Sequence, residues 1–113
     1  MESSLQIETE IRENKAVLKL KGDMVSDAEE ELAKAVNALP EESRDKIILD
    51  LAQTQYINSA GIAALISLLN KVTETGGALK LVGLNRHFQK VLETVGLTEY
   101  IPIYESLDEA LRS

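Results

Sequence analysis

The chain has 113 residues, which suits one domain spanning residues 1–113 and leaves no room for a second core. It contains no cysteine, which excludes disulfides, thiolate nucleophiles and cysteine zinc sites and fits a reducing cytosol. Twelve basic and nineteen acidic residues give a net charge of −7, so nucleic acid and anionic membrane surfaces are poor partners. No apolar run approaches membrane-spanning length, and we expect a soluble, cytoplasmic protein that meets other proteins.

The first residues predict a β-hairpin. Apolar residues alternate with polar ones over 5–11 and again over 16–20, as in two half-buried strands. Residues 13–15 form the turn between them, and the hairpin ends at Gly22.

A helix follows the hairpin. Ser26 and Glu29 have the spacing of a capping box, in which each side chain bonds the other residue's backbone amide. Apolar residues then recur at helical spacing, and Pro40 stops the helix.

The middle of the sequence predicts a buried strand and a long helix. Residues 47–51 show no alternation, which is typical of a central parallel strand covered on both faces. From Ile62 to Val72 apolar residues recur at helical spacing. The glycine pair at 76–77 follows this helix and lacks the Lys–Ser/Thr pair of a phosphate loop, so it is a helix stop.

The last third predicts strand, helix, strand and helix. Residues 79–82 form a strand, and Asn85 caps a helix. Residues 101–104 form a short strand at a sheet edge, because Pro102 cannot donate to a ladder. Ser106 opens the terminal helix. The residues expected to face inward on the helix after Asn85 are Phe88, Val91, Leu92 and Val95.

The complete order is β-β-α-β-α-β-α-β-α, which predicts an α/β fold with one mixed, mostly parallel sheet and helices packed on it. Sites in open α/β sheets form beyond the carboxyl ends of the strands. Three loops are expected there, at 22–26, 52–58 and 83–85.

The loop at 52–58 leads into the second helix. With Asn58 as N-cap, Ser59 is the first helical residue and its hydroxyl points to solvent. Gly61 is expected to leave the backbone of this turn uncovered, so that a partner can approach closely. A plainer interpretation is that Asn58 and Ser59 are simply good caps, worth about 1 kcal/mol.

Three segments carry a family resemblance: Leu-Lys-Gly-Asp at 20–23, Leu-Asp-Leu at 49–51, and Tyr-Ile-Asn-Ser-Ala-Gly-Ile at 56–62. With the order of elements, they make nearly the whole chain resemble the STAS domain of bacterial anti-sigma factor antagonists. The resemblance implies that Ser59 is phosphorylated by a partner that is both anti-sigma factor and serine kinase. It further implies that the unphosphorylated chain binds that partner and frees a sigma factor.

The same resemblance implies that ATP belongs to the kinase and not to this chain. We expect no cofactor, no metal site and no enzymatic activity, and we expect a monomer or weak dimer. The resemblance also implies that Ala60 and Gly61, the two small residues after Ser59, shape the site. The residue before the serine is usually Asp in this family, whereas here it is Asn58. Asp23 and Asp50 either supply negative charge nearby or anchor the loops.

Two alternatives belong to other functional classes. The chain is also similar to STAS modules that serve as constitutive interaction subunits of larger sensory or transport assemblies. A hydrolase would need a base beside its nucleophile, and the single histidine, His87, opens the third helix. Spacing provides no third orienting group, so catalysis is not expected.

Overall fold

Five strands and four α-helices follow one another in the predicted order. The protein is seen in a computed structural model that describes residues 5–113, so residues 1–4 of the expected domain lie outside the described part. The strands are β1 Gln6–Arg12, β2 Lys15–Lys21, β3 Lys46–Gln53, β4 Ala78–Val82 and β5 Ile103–Tyr104. The helices are α1 Ala28–Asn37, α2 Ser59–Glu74, α3 Arg86–Thr94 and α4 Leu107–Arg112.

The strands lie in the sheet in the same order as in the chain, from β1 to β5. β1 pairs antiparallel with β2 through a tight turn, in which Glu13 and Asn14 adopt positive φ. The other neighbours pair parallel, each through a helical crossover. The predicted mixed, mostly parallel sheet is confirmed, and β5 lies at the edge expected from Pro102.

Helices cover the two faces of the sheet unequally. The main core joins the sheet to α1, α2 and α3, with Leu49, Leu65 and Phe88 fully buried. The opposite face holds a smaller cluster in which Ala110 of α4 packs on Ile48 and Val82. Because both faces of β3 are covered, its apolar run shows no alternation. In the described residues, no helix is long and apolar enough to cross a bilayer.

The predicted capping box at Ser26 is wrong. α1 begins at Ala28, one residue later than an N-cap at Ser26 implies, and its N-cap is Asp27, whose side chain makes no capping hydrogen bond. Asp27 Oδ2 instead accepts a hydrogen bond from the Leu5 amide at 3.2 Å. Met24, three residues before Asp27, is held by a β-bridge with Ile57. Tertiary pairing therefore delays the start of this helix.

The expectation that Val95 faces inward is also wrong, since 47% of the residue is exposed. α3 ends at Thr94, and Gly96 then turns the chain with φ +81°. Leu97 follows the turn and is buried instead, at 7% exposure. Helical spacing therefore does not predict which residues are buried beyond the end of the helix.

Candidate functional site

The loop at 22–26 and the loop at 52–58 are joined by backbone hydrogen bonds. The Gly22 amide donates to the Gln53 carbonyl at 3.1 Å, and the Met24 amide donates to the Tyr56 carbonyl at 3.0 Å. In return, the Asn58 amide donates to the Met24 carbonyl at 3.2 Å. The segment before α2 is thus held like a short extra strand, and the start of α2 is fixed in place.

The loop at 83–85 is tied to the same segment by a side chain. Asn85 Nδ2 donates to the Gln55 carbonyl at 3.2 Å, while Asn85 Oδ1 caps α3 by accepting from the Phe88 amide at 2.7 Å. Below this loop, the buried hydroxyl of Thr54 donates to the Leu20 carbonyl at 3.2 Å. The three loops predicted to meet at the carboxyl ends of the strands do meet there.

α2 begins as the sequence predicts. Asn58 is the N-cap in extended conformation, and its Oδ1 accepts a hydrogen bond from the Gly61 amide at 3.1 Å. Ser59 is the first helical residue and is exposed. Within residues 5–113, no acceptor is recorded for the amides of Ser59 and Ala60. The first turn contains no acidic residue, so no carboxylate within it offsets the positive end of the helix dipole, where Ser59 is exposed.

Gly61 does not leave an uncovered backbone for a partner, which corrects the expectation from the sequence. The residue is buried, and a Cβ atom at this position would lie 2.2 Å from the Met24 carbonyl oxygen and 2.7 Å from Ile57 Cγ1. Because Gly61 has no side chain, the backbone of Met24 and the side chain of Ile57 can pack directly against the first turn of α2. Ala60, beside it, is half-buried.

The two candidate carboxylates differ in their surroundings. Asp50 is half-buried, and its Oδ1 accepts a hydrogen bond from the Ala52 amide at 3.0 Å, which favours the role of loop anchor. Asp23 is exposed and precedes Met24, whose backbone is bonded to Asn58. Among the described residues, no hydrogen bond or ion pair is recorded for the Asp23 side chain. Asp23 is therefore the carboxylate that is free to lend charge to this surface.

Among residues 5–113, the Ser59 hydroxyl makes no hydrogen bond to a histidine or a carboxylate. His87 is exposed in the first turn of α3, and in the described part of the chain its ring has no recorded hydrogen bond with Ser59. Over residues 5–113, no group of three or more histidines and carboxylates could hold a metal ion.

Sequence reasoning missed Tyr56. This residue lies three positions before Ser59, and 48% of it is exposed although it is a large aromatic residue. Its backbone carbonyl accepts a hydrogen bond from the Met24 amide, which holds the backbone of Tyr56 in this loop. The sequence does contain a hint of this, since Tyr56 is an aromatic residue in a polar loop that leads to a helix cap. Aromatic residues are enriched at binding surfaces.

Comparisons with known proteins identify the family of the chain and the fold that it shares with solved structures. The family model of the STAS domain matches residues 6–110. A Thermotoga neapolitana protein, named as a candidate anti-sigma factor antagonist, is 31% identical over 67 residues, so the match covers 59% of this chain and 59% of that relative. A Paenibacillus polymyxa protein named anti-sigma F factor antagonist is 23% identical over 109 residues, covering 96% of this chain and 93% of its own.

The same fold is found in a solved structure. The crystal structure of an anti-sigma factor antagonist from Mycobacterium paratuberculosis superposes with a TM-score of 0.80, covering 96% of this chain and 92% of that one. The identity is 22%, so this likeness concerns the fold alone.

Proposed function

Because the chain belongs to the STAS domain family, we propose that it is a cytoplasmic anti-sigma factor antagonist controlled by phosphorylation of Ser59. With Ser59 unmodified, it binds an anti-sigma factor that is also a serine kinase, and the sigma factor is released. Phosphorylation of Ser59 ends this binding. The relatives named as antagonists support the general role, and the exposed hydroxyl at the start of α2 is the observation that carries the switch.

Ser59 suits a phosphate for three reasons. Its side chain is accessible to an enzyme. The amides of Ser59 and Ala60 have no recorded acceptor in the described chain, because the Asn58 cap is used by Gly61. The positive end of the α2 dipole stabilises an anion by about 0.3–1 kcal/mol. A phosphoserine at this position therefore leaves the domain folded.

The same group opposes association. A phosphoserine brings about −1.5 to −2 charges at pH 7. An interface that buries this charge beside a like charge, or without a partner, loses several kcal/mol. A loss of about 4 kcal/mol weakens binding roughly a thousandfold. Since the penalty at the interface exceeds the gain at the helix end, modification changes binding and not the fold.

The partner supplies the chemistry in this proposal. The kinase brings ATP and the catalytic groups, and this chain supplies the acceptor hydroxyl on Ser59, the Asn58 cap that orients it and the exposed Tyr56 beside it. The free chain is a monomer or weak dimer that needs no cofactor. Its net charge of −7 is consistent with a protein partner in preference to nucleic acid.

The test uses the anti-sigma serine kinases of the source genome, each purified and incubated with this chain and ATP. Mass spectrometry should locate one phosphate at Ser59, and Ser59→Ala should remain unmodified although Ser67 on the same helix is also exposed. Calorimetry should record tight binding of the unmodified chain and a roughly thousandfold loss for Ser59→Asp.

Backbone amide spectra of Ser59→Asp should match those of the parent chain outside the first turn of α2. Unfolding of this variant would contradict the switch. Stable association with a larger assembly, with Ser59 never modified, would instead assign the chain to the constitutive STAS modules.

A further inference from the structure

The segment that leads to Ser59 is held from two sides, as a central strand is. On one side, the Tyr56 carbonyl accepts a hydrogen bond from the Met24 amide at 3.0 Å. On the other side, the Gln55 carbonyl accepts a hydrogen bond from Asn85 Nδ2 at 3.2 Å. The peptide before the proposed acceptor hydroxyl is therefore fixed by the loops that follow two different strands, β2 and β4.

β4 ends too early to make the second of these bonds with its own backbone. Its last residue paired with β3 is Val82. Gly83 then turns the chain with φ +77°, and a Cβ atom on this glycine would lie 3.0 Å from the Ala52 amide nitrogen. The turn therefore passes close to the end of β3 and brings Asn85 within reach of Gln55. A side-chain amide thus makes the hydrogen bond that a longer strand would make with its backbone.

The orientation of the Asn85 amide is determined by its other hydrogen bond. Its Oδ1 accepts from the Phe88 amide at 2.7 Å and caps α3. Because a side-chain amide carries one acceptor oxygen and one donor NH₂ group, Nδ2 is left to donate to Gln55. Phe88 is fully buried in the main core. The hydrogen bond therefore ties the acceptor segment to a helix that is anchored in the core.

The position of the Ser59 hydroxyl depends on its backbone. Among the described residues, no hydrogen bond is recorded for the Ser59 side chain, so no neighbouring side chain holds it. In phosphoryl transfer, the serine oxygen forms a bond to the γ-phosphorus of ATP while the bond to the β-phosphate oxygen breaks and ADP leaves. The hydroxyl proton passes to a base of the kinase. Because this step requires the oxygen to be in line with the leaving group, the backbone that presents it affects the rate.

We propose that Asn85 is a positioning residue for the phosphorylation of Ser59. Its bond to Gln55 holds the acceptor segment in the conformation that the kinase uses. Without this bond, the segment is held from the side of Met24 only, and the hydroxyl is in line for a smaller fraction of the time. The inference rests on the proposed function and makes the start of α3 one of the elements that determine how fast the switch is set.

The experiment measures kcat and KM for phosphorylation of this chain by the kinase that modifies Ser59. Asn85→Ser keeps an uncharged N-cap for α3, but its shorter side chain cannot reach the Gln55 carbonyl. We expect kcat to fall about tenfold while KM stays within about twofold, because the surface that the kinase binds is retained. Asn85→Ala, which also removes the cap, should lower kcat at least as much.

A matched control removes a cap on the opposite face of the sheet. Ser106 is the N-cap of α4, and its Oγ accepts a hydrogen bond from the Glu109 amide at 3.2 Å. Ser106→Ala should lower the melting temperature and leave kcat and KM at their parent values, because α4 does not contact the acceptor segment through this cap. Thermal unfolding and backbone amide spectra check that every variant is folded.

The outcomes separate this inference from the proposed function. A parent-like kcat for Asn85→Ser, with phosphate still located at Ser59, overturns the role of Asn85 and leaves the phosphorylation switch standing. A higher KM at unchanged kcat makes Asn85 a contact of the kinase and overturns positioning. An equal fall in kcat for Ser106→Ala assigns the effect to stability and overturns it too. If no kinase of the genome phosphorylates Ser59 of the parent chain, both the proposed function and this inference are overturned.

Discussion

The carbonyl oxygen of Met24 lies 2.2 Å from the point where a Cβ atom on residue 61 would stand. The segment that bridges Met24 to Ile57 therefore crosses directly against the first turn of α2. Ser59 is two residues before Gly61 on that turn. The position of the exposed hydroxyl thus depends on a contact that only glycine permits.

Gly61→Ala should destabilise the domain by about 1–3 kcal/mol, because the backbone of Met24 must move to admit the methyl group. Urea unfolding measures the difference. Gly76→Asn is the matched control, since a Cβ atom there meets nothing within 4 Å and Asn tolerates the positive φ. Equal losses for the two variants would show that the contact with Met24 is unimportant.

Asn58→Ala should cost about 1 kcal/mol, because the Gly61 amide loses its cap. Asn58→Asp should keep the cap and gain up to about 1 kcal/mol, since a carboxylate at this helix end interacts favourably with the dipole. The gain should shrink in high salt. Thermal unfolding at two salt concentrations measures both effects, and a salt-independent result for Asn58→Asp would contradict the electrostatic explanation.

Asp50→Asn should be nearly neutral, whereas Asp50→Ala should lose about 1 kcal/mol, because only the amide keeps an acceptor for the Ala52 backbone. Phosphorylation of Ser59 should proceed at the parent rate in Asp50→Asn if the residue is a loop anchor. Asp23→Asn, which removes an exposed charge, is the comparison. A slower reaction in Asp50→Asn than in Asp23→Asn would assign the charge role to Asp50.

Asn85 links α3 to the loop at 52–58 through two different atoms. Asn85→Asp keeps the acceptor for Phe88 and loses the donor to Gln55, while Asn85→Ala loses both. Hydrogen exchange should therefore accelerate in the loop for both variants, and in the first turn of α3 only for Asn85→Ala. Unchanged exchange in the loop would mean that this hydrogen bond does not order the site.

Much of the architecture follows from local patterns. The order of elements, the caps at Asn58, Asn85 and Ser106, and the burial of both faces of β3 can be predicted because each leaves a pattern within a short stretch of sequence. Helical spacing, cap chemistry and the loss of alternation in a covered strand are all properties of short segments. The exposure of Ser59 follows from its place just after a cap.

Other features were decided by contacts between segments distant in sequence. Asp27 bonds the Leu5 amide, so α1 does not begin at the capping box of Ser26. Gly61 is covered by Met24, a residue thirty-seven positions earlier, so its smallness serves internal packing. The amphipathic pattern of α1 and α2 shows which sides are apolar, but these helices lie side by side only because the sheet positions both of them. The spacing of residues along the sequence does not predict contacts between distant segments, because only tertiary packing brings those segments together.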